Sequence, residues 1–400
     1  MSLRNALGLL AALASSAAIT LPPLAAAAPP TYSDAGPEPI LVEVFDAIEQ
    51  GNYDAALSRV EQLSKAYPNF RLAHLIRGDL LLARTRPLTA FGEGGGKGSA
   101  GKIADLRAEA VVRLNGYRTK PPKNYLPRYL MQMGPEQKYA IVVDTHKSRL
   151  YLYQNSKGTP QFVADYYFTQ GKLGSDKFRE GDQRTPIGVY HVTSSLPRKK
   201  LGDLYGSGAF PLNYPNEWDK RMGRNGHGIW LHGTPSDTFS RPPRASDGCV
   251  VLANQDLDAI SKDLQIGLTP VIISNSIEWL SLDDWQSERS TLMKMIDEWR
   301  RDWETRDTDR YATHYAASFK GDGQNFSQWM AQKRKVNAGK RWIKVGIDNI
   351  SMFRNPGKDE YVVVTFEQDY RSDNLANRMK KRQYWAKTDG QWKIIFEGAV

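Results

Sequence analysis

Cys249 is the only cysteine among 400 residues, in the segment Ser246-Asp247-Gly248-Cys249-Val250-Val251-Leu252. His232 precedes it by seventeen residues, in Leu231-His232-Gly233-Thr234. An imidazole close to a thiol can take its proton and leave a thiolate, the actual nucleophile. A cysteine with no partner in its own chain is either an inert buried thiol or a reactive one, and the flanking residues favour the second reading. His227, in Asn225-Gly226-His227-Gly228, either lines a substrate groove or sits on a surface loop. His74, His146, His191 and His314 are scattered without metal-ligand spacing, so no metal and no cofactor is called for.

The chain opens with a charged start, an apolar stretch from Ala6 to Thr20 and the small-residue run Ala25-Ala26-Ala27-Ala28. That order reads as a secretory signal peptide over residues 1–28, cleaved near Ala26 to Ala28. No later run has the roughly 20 apolar residues a membrane span requires. The mature protein is therefore expected in the periplasm or cell envelope. A net charge of +10 suits an anionic partner. Export argues against nucleic acid and points to an envelope polymer or lipid surface; the charge also serves plain solubility.

The elements that must position the cysteine and histidine follow from periodicity. Residues 39–85 predict three short helices, with apolar stripes through Val44 and Ile48, through Ala56, Leu57, Val60 and Leu63, and through Leu72, Leu75, Ile76 and Leu80. Gly51-Asn52-Tyr53-Asp54-Ala55-Ala56-Leu57 resembles a tetratricopeptide repeat, with too few copies for a solenoid. The region 38–118 is read as a docking or dimerisation module, for a second copy or an envelope protein, or as a plain helical cap. The glycine-rich run Gly92 to Ser99 lacks the strand and the hydroxyl residue of a phosphate loop and reads as a flexible connection. Residues 137–275 alternate as short strands around one helix capped by Asn254, a mostly-β sandwich. In residues 285–400 a long helix precedes four strands, an α+β cone that resembles the nuclear-transport-factor-2-like fold. The whole is a multidomain α+β chain. The aromatic residues of the last region are mostly core, with a minority lining a cone mouth, and Arg378 to Arg382 attract a glycan or form a solvated strand edge.

Gly181-Asp182-Gln183-Arg184-Thr185-Pro186-Ile187-Gly188-Val189-Tyr190, then His232-Gly233-Thr234, then Ser246-Asp247-Gly248-Cys249 resemble, in order and spacing, the L,D-transpeptidase (YkuD) catalytic domain of bacterial envelope enzymes. The resemblance implies Cys249 as nucleophile, His232 as general acid and base, and the Gly233 backbone carbonyl as the group that orients the imidazole. It implies that Gly248 lets substrate approach, that the N–H groups of Gly248 and Cys249 form an oxyanion hole, and that Ser246 and Asp247 shape the loop. Thr234, His227 and Arg184 are substrate-binding candidates, although Arg184 serves equally to support the turn before Pro186. The implied substrates are the stem peptides of peptidoglycan, cleaved after an L-centred residue. The acyl group passes to an amine, or to water in an L,D-carboxypeptidase. Helical module, catalytic domain and cone together resemble the cell-shape-determining carboxypeptidases of helical bacteria. A histidine often stands where Asp247 is and an arginine where Val251 is; Arg241 or Arg244 are the spatial substitutes. A non-catalytic wall-binding protein is the alternative from another class.

Overall fold

The computed structural model describes residues 36–95 and 100–400. The leader, and part of the glycine-rich run, lie outside the described residues. The expected helices form at Glu38–Glu49, Tyr53–Ala66 and Arg71–Ala83, and a fourth runs over Ala100–Arg118. Asn52 caps the second, its side chain accepting the Ala55 N–H at 3.2 Å. The apolar stripes meet in a core of Leu41, Val44, Val60, Leu63, Phe70 and Ile76. The described part of the glycine-rich run is pinned rather than loose, because Asp79 accepts the N–H of Gly92 at 2.5 Å and of Gly94 at 2.7 Å.

The middle of the chain builds one ten-stranded mixed sheet. Its central strands, Tyr139–Asp144, Arg149–Ser156 and Thr159–Gly171, pair antiparallel. Both faces are covered, so these strands are apolar on both sides. Ile141, Val143, Leu150 and Leu152 pack into one core, and Ala140, Val142, Tyr151 and Tyr153 into another. Beyond Thr159–Gly171 the sheet continues through Val250–Leu252, Trp230–His232, Gly208–Pro211 and Leu196–Pro197. The two strands that carry the chemistry are therefore neighbours.

The last region has the helix Leu282–Glu304, begun by Ser281, whose hydroxyl accepts the Asp284 N–H at 3.2 Å. A seven-stranded sheet wraps around it. Trp285, Trp299, Trp303, Tyr311, Tyr315, Trp329 and Trp385 are buried between helix and sheet, so the cone is filled by its own aromatic residues. Trp342, by contrast, is exposed. Of the basic stretch, Arg378 pairs with Glu367, Lys381 with buried Glu397 at 2.5 Å, and Arg382 with Glu217 at 3.2 Å. Lys381 and Arg382 thus hold strands and domains together, while Arg378 and Lys380 stay exposed; the stretch lies in an inner strand paired on both sides, which corrects the reading of a strand edge.

The last region does not stand alone. The seventh strand of its sheet is Leu130–Gln132, from the connector before the catalytic sheet, and Met131 is fully buried in the cone's core. The Arg221 guanidinium donates to the carbonyls of Ile395 at 2.7 Å and Ser318 at 2.9 Å, and Trp218 stacks on Tyr384. At the other end Arg113 is buried between Glu38 and Glu109 and lies 3.8 Å over the Tyr167 ring of the catalytic sheet. Such charges are buried only when paired, so this network ties helical module to sheet.

Candidate functional site

Parallel pairing puts Val250 opposite Leu231 and Val251 opposite His232. Leu231, Val250 and Leu252 face the core. Side chains alternate along a strand, so His232 and Val251 face the other way, and Cys249, two residues before Val251, falls on their side. The period of two thus brings nucleophile and base onto one face from positions seventeen residues apart.

The half-buried thiol of Cys249 donates to the Gly228 carbonyl at 3.3 Å, and its sulfur accepts the Trp230 N–H. Both groups belong to the segment that ends in His232. Burial, with help from Asp247, pushes the thiol up to about 11, against the Trp230 hydrogen bond. The buried His232 ring is held down at about 4, chiefly by burial and further by the charge of Arg241, while the bond to Gly233 acts the other way. Both groups are therefore neutral near pH 7, a thiol beside an imidazole. His232 Nδ1 lies 2.7 Å from the Gly233 carbonyl. A carbonyl only accepts, so Nδ1 carries the proton and Nε2 keeps its lone pair.

Gly233 is held in turn. Its N–H donates to Tyr205 O at 3.1 Å. Asn254 was expected to cap its helix, but the cap position falls on Ala253 and the Asn254 carboxamide points elsewhere. Its Oδ1 accepts the N–H groups of Ser207 at 2.9 Å and Thr234 at 3.2 Å, and its Nδ2 donates to Thr234 O at 2.8 Å. A Cβ at position 233 would lie 2.1 Å from that Oδ1, so only glycine fits. Tyr205 places its ring edge-on against His232 at 5.1 Å. Asn254 was read from sequence only as a helix cap, and Tyr205 was not singled out. Each lies far along the chain from His232 and carries no motif.

The cysteine loop is braced from inside. Ser246 Oγ donates to Cys249 O at 2.7 Å and accepts the Gly248 N–H at 3.2 Å. The Gly248 N–H is thus occupied and leaves the Cys249 N–H as the oxyanion candidate, which corrects the expected pair. Gly248 has φ +127, and a Cβ there would sit 2.7 Å from the Arg184 carbonyl. Backbone packing demands this glycine, before any question of substrate access. Asp247 is exposed and held by Lys172 at 2.9 Å and Gln183 at 3.1 Å.

The three substrate-binding candidates Thr234, Arg184 and His227 do not converge on one groove. Thr234 is buried, its hydroxyl donating to Thr238 O at 2.7 Å, and it braces a loop instead of meeting substrate. Arg184 donates to Ser175 O at 3.0 Å and supports the turn, the second of its two readings. His227 is exposed on a surface loop beside Gly228, with Glu180 3.4 Å away. Arg241 is the additional cation that the charges of both Cys249 and His232 feel. Among the described residues no group of three or more His, Cys, Asp or Glu side chains is arranged to hold a metal ion.

Residues 138–273 match the family of the L,D-transpeptidase catalytic domain (YkuD), and residues 291–398 match the Cds6 C-terminal NTF2-like domain. Among solved structures the chain is similar to Bd1075 of Bdellovibrio bacteriovorus, with 30% identity and a TM-score of 0.62 over 69% of this chain and 98% of that one. It is also similar to the helical cell shape determining protein Pgp2 from Campylobacter jejuni, with 25% identity and a TM-score of 0.56 over 67% of this chain and 95% of that one. No curated protein sequence matches the chain. With these matches spanning the sheet that carries Cys249 and the cone that follows it, the chain belongs to the L,D-transpeptidase catalytic-domain family and carries an NTF2-like C-terminal domain.

Proposed function

We propose that the protein is an exported L,D-transpeptidase that acts on the stem peptides of peptidoglycan through a Cys249 thioester. The observation that carries this reading is the hydrogen bond from His232 Nδ1 to the Gly233 carbonyl, which leaves Nε2 as a base on the face of the sheet shared with Cys249. The Cys249 sulfur attacks the carbonyl carbon after an L-centred residue, and its proton passes to Nε2. The oxyanion of the tetrahedral intermediate takes the Cys249 N–H. The C–N bond then breaks, the leaving amine collects the proton from Nε2, and a thioester remains. An acceptor amine attacks the thioester, gives its proton to Nε2, and the C–S bond breaks with return of the thiol. A neutral resting pair suits this sequence, because the thiolate forms only as the attack proceeds.

Export is supported by the composition of residues 1–28, and no helix among the described residues is long and apolar enough to cross a membrane. The likeness to a helical cell shape determining protein favours a second reading of the same site, with water as acceptor and cell shape as the outcome. Incubation with purified muropeptides and mass spectrometry separates the two. A new cross-link or an exchanged D-amino acid supports transpeptidation, and loss of a terminal D-alanine alone supports carboxypeptidation. No change in either, with a thiol inert to iodoacetamide, refutes both and leaves a wall-binding protein.

A further inference from the structure

Between His232 and Cys249 the chain crosses the face of the sheet on which both residues lie. The Arg241 carbonyl accepts the Tyr167 hydroxyl at 2.8 Å and the Thr169 hydroxyl at 2.9 Å. Thr169 is the antiparallel partner of Val251, and Val251 is the parallel partner of His232. Arg241 is therefore suspended over the row Thr169–Val251–His232, where Val251 itself offers no charge. Its side chain is half-buried, and its guanidinium has no hydrogen-bond or ion-pair partner among the described residues. The nearest acid whose charge it feels, Asp247, is already taken by Lys172 and Gln183. By contrast the buried arginines Arg113, Arg149 and Arg354 are each held by carboxylates. A guanidinium that has lost part of its water and gained no acid is set to receive one.

The loop that carries it is fixed by the helical module. The Phe239 ring lies 4.8 Å from Tyr67 and 5.0 Å from Phe70. Asn69 donates to Ser236 O at 3.2 Å and its carbonyl accepts the Phe239 N–H at 3.2 Å. Ser240 Oγ donates to Glu109 at 2.6 Å. Residues on either side of this anchor, Thr234 to Arg241, are thus held in one geometry before substrate arrives.

We propose that Arg241 anchors the free α-carboxylate of the acyl-donor peptide, next to the bond that Cys249 attacks, and that the helical module is the part that holds Arg241 there. The inference rests on the reading of the site as an acyl-transfer centre for stem peptides, and it names the feature of the donor that is recognised. A planar fork binds a carboxylate through two parallel N–H···O bonds, which an ammonium cannot reproduce.

The test compares a tetrapeptide stem ending in a free carboxylate with the same peptide ending in a carboxamide. The wild-type protein should prefer the acid. Arg241→Gln should lose roughly 10- to 100-fold in kcat/KM on the acid, mainly through KM, and less than about threefold on the amide. Arg241→Lys should fall between, and Phe239→Ala, which loosens the anchor and leaves Arg241 in place, should narrow the acid-to-amide ratio by several-fold. Should Arg241→Gln fail to fold, Arg241→Lys alone decides: an acid-to-amide ratio equal to wild type overturns the proposal. An unchanged ratio in a folded Arg241→Gln does the same. If the wild-type protein turns over neither peptide, the acyl-transfer reading fails first and this inference falls with it.

Discussion

Replacing Asn254 by Ala tests whether the histidine is positioned from behind. The carboxamide makes three hydrogen bonds to the backbone of Ser207 and Thr234, all between 2.8 and 3.2 Å. Each is worth about 1 kcal/mol net, and a buried donor left alone costs about 1–3 kcal/mol. The site is partly buried, and water can enter the space that alanine vacates. We therefore expect a loss of about 2–3 kcal/mol in stability. The larger effect is on chemistry. With Thr234 released, the Gly233 carbonyl shifts, and the proton on Nδ1 loses the partner that keeps it there. A displacement of even 1 Å costs on the order of 100-fold in rate. Asn254→Ala should therefore stay folded, with a lowered urea midpoint, and lose roughly 10- to 100-fold in kcat with little change in KM. Asn254→Asp keeps the acceptor but sets a carboxylate against the Thr234 carbonyl, and should do no better. Turnover on soluble muropeptides and urea unfolding supply both numbers. Wild-type kcat in a destabilised Asn254→Ala would mean that the carboxamide supports the fold alone, and the argument for positioning would be wrong.

Cys249→Ser should abolish turnover with an unchanged unfolding midpoint, and appreciable activity in that variant excludes a thioester. Because burial raises the thiol to about 11, alkylation of Cys249 should keep accelerating above pH 9; a rate already maximal at pH 7 would show a preformed thiolate. His232 is lowered from 6.5 to about 4, so between those values the unfolded chain binds a proton that the folded chain refuses. Its contribution to stability is intact above pH 6.5, is lost as pH falls toward 4, and amounts to about 3 kcal/mol. His232→Gln should remove that part of the pH dependence, read as the difference in urea midpoints at pH 7 and pH 4.5. Arg113→Met leaves Glu109 buried without its cation and Glu38 with Arg149 alone, and should cost about 3–5 kcal/mol, whereas a change below 1 kcal/mol would show that the network is solvated. A chain cut after Leu280 strips the partner strand from Leu130–Gln132 and bares Met131, so it should aggregate on size-exclusion chromatography instead of remaining a working catalytic unit.

The order of elements was legible in the residues, and Cys249 and His232 could be named from them as candidates, because both readings depend on local rules. Apolar stripes at helical spacing predicted the helices of residues 38–83, short apolar runs bounded by turns predicted the central strands, and the one thiol stood in a motif with an imidazole at a set distance. What failed was reading the surroundings of those residues. Thr234 was read as a substrate-binding candidate, and Arg184 as either that or a support for its turn, yet one hydroxyl and one guanidinium end on backbone carbonyls inside the protein. The Gly248 N–H was assigned to an oxyanion hole and is held by Ser246.

Sequence by itself determined the chemistry available: one thiol, one adjacent base, three regions of distinct periodicity and a basic chain with an apolar leader. Tertiary structure alone decided which groups serve that chemistry. Asn254 turned from helix cap to brace, Tyr205 came edge-on to the imidazole, the cone recruited Leu130–Gln132 as its last strand, and the helical module closed on the loop of Arg241. The physical reason is the range of the forces involved. Periodicity and turn preference act over a few residues and leave a trace in the local pattern. A hydrogen bond between Asn254 and Thr234, or a ring contact between Phe70 and Phe239, joins positions that only a folded sheet brings together.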